Sequence, residues 1–142
     1  MSHDERTGRV QTVRGLCSPD ELGPTMMHEH LLIDLRPLFR GPADPTTRAI
    51  ARAPITLDNL SWVHCHWSSS LDNLVLDNED VAVREALVFR AAGGGTIVDV
   101  SSVGIRPDLA TIRYISERTG QHVVMGCSAS SASSTGSCAG LA

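Results

Sequence analysis

Two histidines one residue apart, His28 and His30, interrupt a mostly apolar run over residues 25–34. The run is short and bounded by turn-forming residues, which marks residues 25–34 as a strand buried on both faces. Residues two apart in a strand share a face, so both imidazoles can reach one metal ion while Glu29 points the other way. Two histidines in a strand are also compatible with an incidental pair. Their position favours function, because an unpaired polar group inside an apolar run is costly. Asp99, late in a second β-branched run (Thr96-Ile-Val-Asp-Val), has two readings. It can orient a metal-binding histidine from behind, or be a buried carboxylate satisfied by backbone groups.

Other reactive residues carry less. His64-Cys65-His66, flanked by Trp62 and Trp67, resembles a metal cluster in isolation but reads as a loop or packing segment. Cys17, Cys65, Cys127 and Cys138 form no C-x-x-C pair and match no zinc-ribbon spacing, so they read as free thiols. Gly93-Gly94-Gly95 precedes a strand rather than following one, the reverse of a dinucleotide-binding turn, and reads as a helix terminator. Ser101-Ser102 has no accompanying base pattern for nucleophilic catalysis.

Composition removes several classes of function. All 12 basic residues are arginine, so there is no lysine for a P-loop, a Schiff base or a carboxylated metal bridge. A net charge of −4 and 4% aromatic residues argue against nucleic acid and against an anionic membrane surface. No apolar run approaches the roughly 18 residues of a membrane span. The first nine residues are polar and lack a secretory pattern, so a cytoplasmic protein is expected.

The positioning elements follow from pattern. Residues 9–15 suggest a short strand and turn, and residues 17–24 are turn chemistry. Four prolines between residues 36 and 54 speak against regular structure before Ile55. Asn78 is placed to cap a helix over 79–92, with Val81, Leu87, Val88 and Ala91 inward and Arg84 and Glu85 in water. A strand over 96–100, a helix over 107–119 ended by Gly120, and a strand over 122–125 complete the series. Strand, helix, strand, helix, strand means βα units and a parallel sheet.

Four ordered segments carry a resemblance: Gly23-Pro-Thr-Met-Met-His-Glu-His-Leu-Leu, Ile55-Thr-Leu-Asp-Asn-Leu, Ala91-Ala-Gly-Gly-Gly-Thr-Ile-Val-Asp-Val and Gly120-Gln-His-Val-Val-Met-Gly. From about Arg9 to Cys127 the chain resembles the phosphotriesterase family of the amidohydrolase superfamily, which includes aryldialkylphosphatases and phosphotriesterase-like lactonases. The resemblance implies a TIM (β/α)8 barrel with a binuclear metal centre at the C-terminal ends of its strands. It implies that His28 and His30 are the metal ligands of barrel strand 1. It further implies hydrolysis of a small ester, lactone or organophosphate, with divalent cations activating water and polarising the electrophile. Zinc is the expected metal, with cobalt, nickel, iron or manganese as substitutes.

Against that pattern the chain is short. A barrel takes typically about 250 residues, and 142 residues reach about strand 3. The bridging lysine of strand 4 is missing, as are the later histidines and aspartate. Residues 128–142 contain six serines and four alanines and no charge. They are expected to be a disordered tail, translated out of frame, behind a partial barrel over 1–127. Two readings therefore stand: a metal-dependent hydrolase by family, or a truncated, catalytically inactive fragment with at most weak metal binding. Open sheet edges in such a fragment would favour self-association.

Overall fold

A computed structural model describes residues 3–102, 104–105 and 108–126. The strands are β1 (Val10–Thr12), β2 (Gly15–Cys17), β3 (Thr25–Glu29), β4 (Ile33–Asp34), β5 (Val75–Leu76), β6 (Thr96–Asp99) and β7 (His122–Met125). The helices are α1 (His3–Arg6), α2 (Pro45–Arg52), α3 (Leu60–Cys65), α4 (Glu79–Ala91) and α5 (Leu109–Thr119). The chain divides into two compact units, Ile33–Asp77 and the residues on either side of it.

The larger unit is α/β. Its sheet has the order β3-β6-β7, and both pairings are parallel. β1 and β2 form an antiparallel hairpin ahead of it. The Val13 amide at the hairpin donates to the Val123 carbonyl of β7 at 2.9 Å. The expected βα succession and parallel sheet are therefore present. Leu32, Ala82, Ile112, Ile115 and Val123 form the buried core, with Val13, Leu31, Val83 and Met125 packed around it.

Local chemistry explains the helices. The Asn78 side chain accepts from the Val81 amide and opens α4, and Asp108 does the same for Thr111 and α5. Gly120 closes α5 in the left-handed region at φ 71°, where a Cβ would be strained. Arg90 near the end of α4 donates to the Thr119 carbonyl at the end of α5, satisfying a helix-terminal acceptor.

Three expectations are corrected. Strand 25–34 breaks after Glu29 and is not buried on both faces: Met27 is 68% exposed, and His28 and Glu29 are exposed. Among the described residues β3 is an edge strand, and its register against β6 shifts between Met26 and Glu29. On α4 the buried positions are Ala82 and Ala86, while Val81, Leu87 and Val88 are exposed. Alanines four residues apart let the helix approach closely, and this sets its rotation in place of the larger aliphatics.

The third correction lies in Ile33–Asp77. Residues 45–52 are helical despite the prolines. The Asp44 carboxylate accepts from the Thr47 amide at 2.8 Å, and Pro45 fills the first turn, where no N–H is required. That bond holds the Asp44 carboxyl below its usual range. In the same unit β4 pairs antiparallel with β5, and Ala51, Val63, Ser70 and Leu74 are buried. Residues 128–142, the expected tail, lie outside the described residues, as does Cys127.

Gly95, just ahead of β6, sits close against the backbone of Leu22 and Gly23. Its amide donates to the Pro24 carbonyl at 2.9 Å, and a Cβ there would collide with the Leu22 carbonyl. Gly→Ala at a compatible site stabilises by about 0.4–1 kcal/mol. At Gly95 the sign reverses. Gly95→Ala is expected to lower the urea midpoint followed by circular dichroism, and an unchanged or raised midpoint would refute the close approach.

Candidate functional site

The candidate residues gather where β3 and β6 end. The two strands run parallel with Glu29 opposite Asp99, so both C-terminal ends meet at one edge. Beyond Glu29 the backbone leaves the ladder, which carries His30 past the strand end. The Val100 amide still donates to the Glu29 carbonyl at 3.0 Å, and the Gly126 amide to the Asp99 carbonyl at 2.7 Å. The ends of all three parallel strands are thereby stitched together.

Asp99 has no exposed surface. One carboxylate oxygen accepts from the Leu31 amide at 3.1 Å, and the other from the Ser101 amide at 2.8 Å. Of its two readings, the structure displays the carboxylate bonded to backbone amides. A buried carboxylate is tolerated when charge-assisted bonds replace its water, and two N–H donors supply them.

His28 and His30 are brought together, with ring centroids 5.9 Å apart and planes at 86°. His28 is exposed and His30 half-buried. His30 Nδ1 lies 2.8 Å from the Ser101 hydroxyl oxygen, and that hydroxyl also lies 3.4 Å from the Leu32 carbonyl. Ser101 is wholly buried. Sequence reasoning set Ser101 aside because it sought a nucleophile. The signal available was its place two residues after Asp99, at the end of the neighbouring strand.

The remaining reactive residues lie elsewhere. Among the described residues no group of three or more His, Cys, Asp and Glu side chains could hold a metal ion. His66 stacks on Trp62 at 4.7 Å and bonds to the Trp62 carbonyl through Nδ1 at 2.9 Å. Its ring is thus engaged locally, and Cys65 beside it is an exposed free thiol. Cys17 is buried, and burial pushes its thiol above the usual range, away from nucleophilic use. Asp34 sits in β4, where Arg36 holds its carboxyl below the usual range.

The arrangement can present two imidazole donors at the C-terminal edge of a parallel sheet, the edge at which βα barrels place their chemistry. The sequence profile of the phosphotriesterase family matches residues 8–132. The chain belongs to the phosphotriesterase family. An N-acetyltaurine hydrolase of Salmo salar is 43% identical over 121 residues, covering 84% of this chain and 34% of the relative. That of Homo sapiens is 39% identical over the same shares. The crystal structure of a resiniferatoxin-binding protein from Rhodobacter sphaeroides superposes with TM-score 0.81 at 40% identity, covering 86% of this chain and 34% of that one. A lactonase from Listeria monocytogenes gives TM-score 0.54 at 24% identity over 84% of this chain and 28% of that one, a likeness of fold. The chain therefore spans about a third of the length of the relatives it matches.

Asp99→Ala would strand the buried Ser101 amide, at a cost of about 1–3 kcal/mol, and the half-buried Leu31 amide beside it. It is expected to lower unfolding stability far more than Asp99→Asn, which keeps one acceptor. Equal urea midpoints for the two variants would refute the clamp.

Proposed function

We propose that this chain is the strand 1–3 portion of a metal-dependent hydrolase that cleaves a carbonyl-centred bond in a small molecule, with His28 and His30 as metal ligands. The single observation that carries this reading is the His28–His30 pair, 5.9 Å apart at the C-terminal edge of the parallel sheet. Imidazole suits zinc, cobalt, nickel and iron, and Nδ1 of His30 is already engaged by Ser101, which leaves Nε2 as the donor. When bound, a divalent cation supplies Lewis acidity and a water of lowered pKa. The chain's own part is to hold the two rings at that edge and to brace His30 through Ser101 and Asp99.

Substrate class is argued from the relatives. Those named N-acetyltaurine hydrolase are 38–43% identical, whereas the organophosphorus hydrolase of Deinococcus radiodurans is 20% identical. This favours an N-acyl amide ahead of a lactone or a phosphotriester. A cytoplasmic setting belongs to the same reading. No helix among the described residues is long and apolar enough to cross a membrane.

A second reading concerns this chain by itself. Catalytic zinc usually has three protein ligands, and the described residues bring together two. Alone, the chain is therefore proposed to bind metal weakly and to turn over nothing. With added zinc or cobalt, no hydrolysis of N-acetyltaurine, a lactone or a paraoxon-like triester is expected above the metal blank. Calorimetric zinc uptake by the wild type should vanish in both His28→Ala and His30→Ala. Metal-dependent turnover would overturn the inactive-fragment reading, and uptake unchanged in both variants would overturn the ligand assignment.

A further inference from the structure

We propose that Ser101 is a positioning residue that fixes His30 in the Nδ1–H tautomer, so that Nε2 carries the lone pair offered to a metal. The inference rests on the reading of His30 as a ligand and extends it to a residue 71 positions away, just beyond the end of β6.

The argument is one of donors and acceptors. A neutral imidazole has one N–H and one lone pair, and the partner of one nitrogen decides the role of the other. The partner of His30 Nδ1 is the Ser101 hydroxyl, at 2.8 Å. A hydroxyl has a single hydrogen but can accept as well. The second group within reach of that hydroxyl is the Leu32 carbonyl, at 3.4 Å, which can only accept. The arrangement that satisfies all three groups runs in one direction. His30 Nδ1–H donates to Ser101 Oγ, and Ser101 O–H donates to the Leu32 carbonyl. The opposite direction leaves a buried carbonyl without this partner and puts the proton on Nε2, where it would block coordination.

Ser101 is held for this task. It has no exposed surface, so water does not compete for its hydroxyl. Its amide is anchored on Asp99, whose other oxygen anchors the Leu31 amide immediately after His30. One buried carboxylate thus fixes both ends of the His30–Ser101 bond. Metal-binding histidines are commonly braced in this manner through the nitrogen that does not bind. Here the brace is a serine hydroxyl, with the carboxylate one step further back.

Long-range proton–nitrogen correlation spectra of the metal-free, histidine-labelled chain test this, at a pH above the imidazole titration range. The His30 signals are assigned by their loss in His30→Asn. The expected result is Nδ1–H on His30 in the wild type, a mixture of tautomers in Ser101→Ala, and Nδ1–H again in Ser101→Thr. Nε2–H in the wild type would overturn the proposal, as would a Ser101→Ala spectrum identical to wild type. Should Ser101→Ala fail to fold by circular dichroism, the wild-type tautomer decides alone. Zinc titration supplies the second readout: a 10–100-fold loss of affinity is expected in Ser101→Ala, and equal affinity would overturn the positioning role. A wild type that takes up no zinc would refute the ligand reading, while the tautomer spectra would still decide the Ser101–His30 bond.

Discussion

The carboxylate of Asp99, cut off from solvent, accepts one backbone amide from each of the two segments that carry the site. A buried charge is sustainable only while its bonds are made, so the two segments are not free to drift apart. This constraint explains why β3 can break its ladder after Glu29 and still deliver His30 to a defined place. The strand stops, but the Leu31 amide is captured, and Ser101 is drawn up against the imidazole. The site is therefore built at the sheet's C-terminal edge, where β3 and β6 pass into the segments that follow them.

Behind that edge the supporting structure is economical. Three parallel strands, the alanine face of α4 and the Ile112–Ile115 stripe of α5 enclose one small core. Close approach matters more than bulk in this layer. Gly95 lets β6 start against Leu22, and Ala82 and Ala86 seat α4. The consequence is visible on the outside, where Val81, Leu87, Val88 and Met27 remain exposed. The relatives the chain matches are about three times as long.

Much of this was legible in the sequence, for physical reasons that differ by element. The parallel sheet follows from β-branched runs separated by capped helices, and Asn78 and Gly120 mark helix ends because their side chains or φ angles do specific work. The His28–His30 pairing follows from the two-residue period of a strand, although His30 lies just past its end. What was not legible depends on partners far along the chain. The exposure of β3 comes from its edge position, which no local pattern encodes. The rotation of α4 is set by what it packs on, and its larger aliphatics mislead. Helix α2 was hidden by proline counting, although Asp44 followed by Pro45 is a start signal. Ser101 could not be recognised, because its role exists only once β6 lies beside β3.

The central claim is that His28 and His30 are the chain's metal donors. X-ray absorption at the zinc edge of the zinc-loaded chain tests it most directly. Two imidazole nitrogens with the remaining positions filled by oxygen is the predicted first shell. A sulfur scatterer would place the metal on a cysteine, and would contradict the claim.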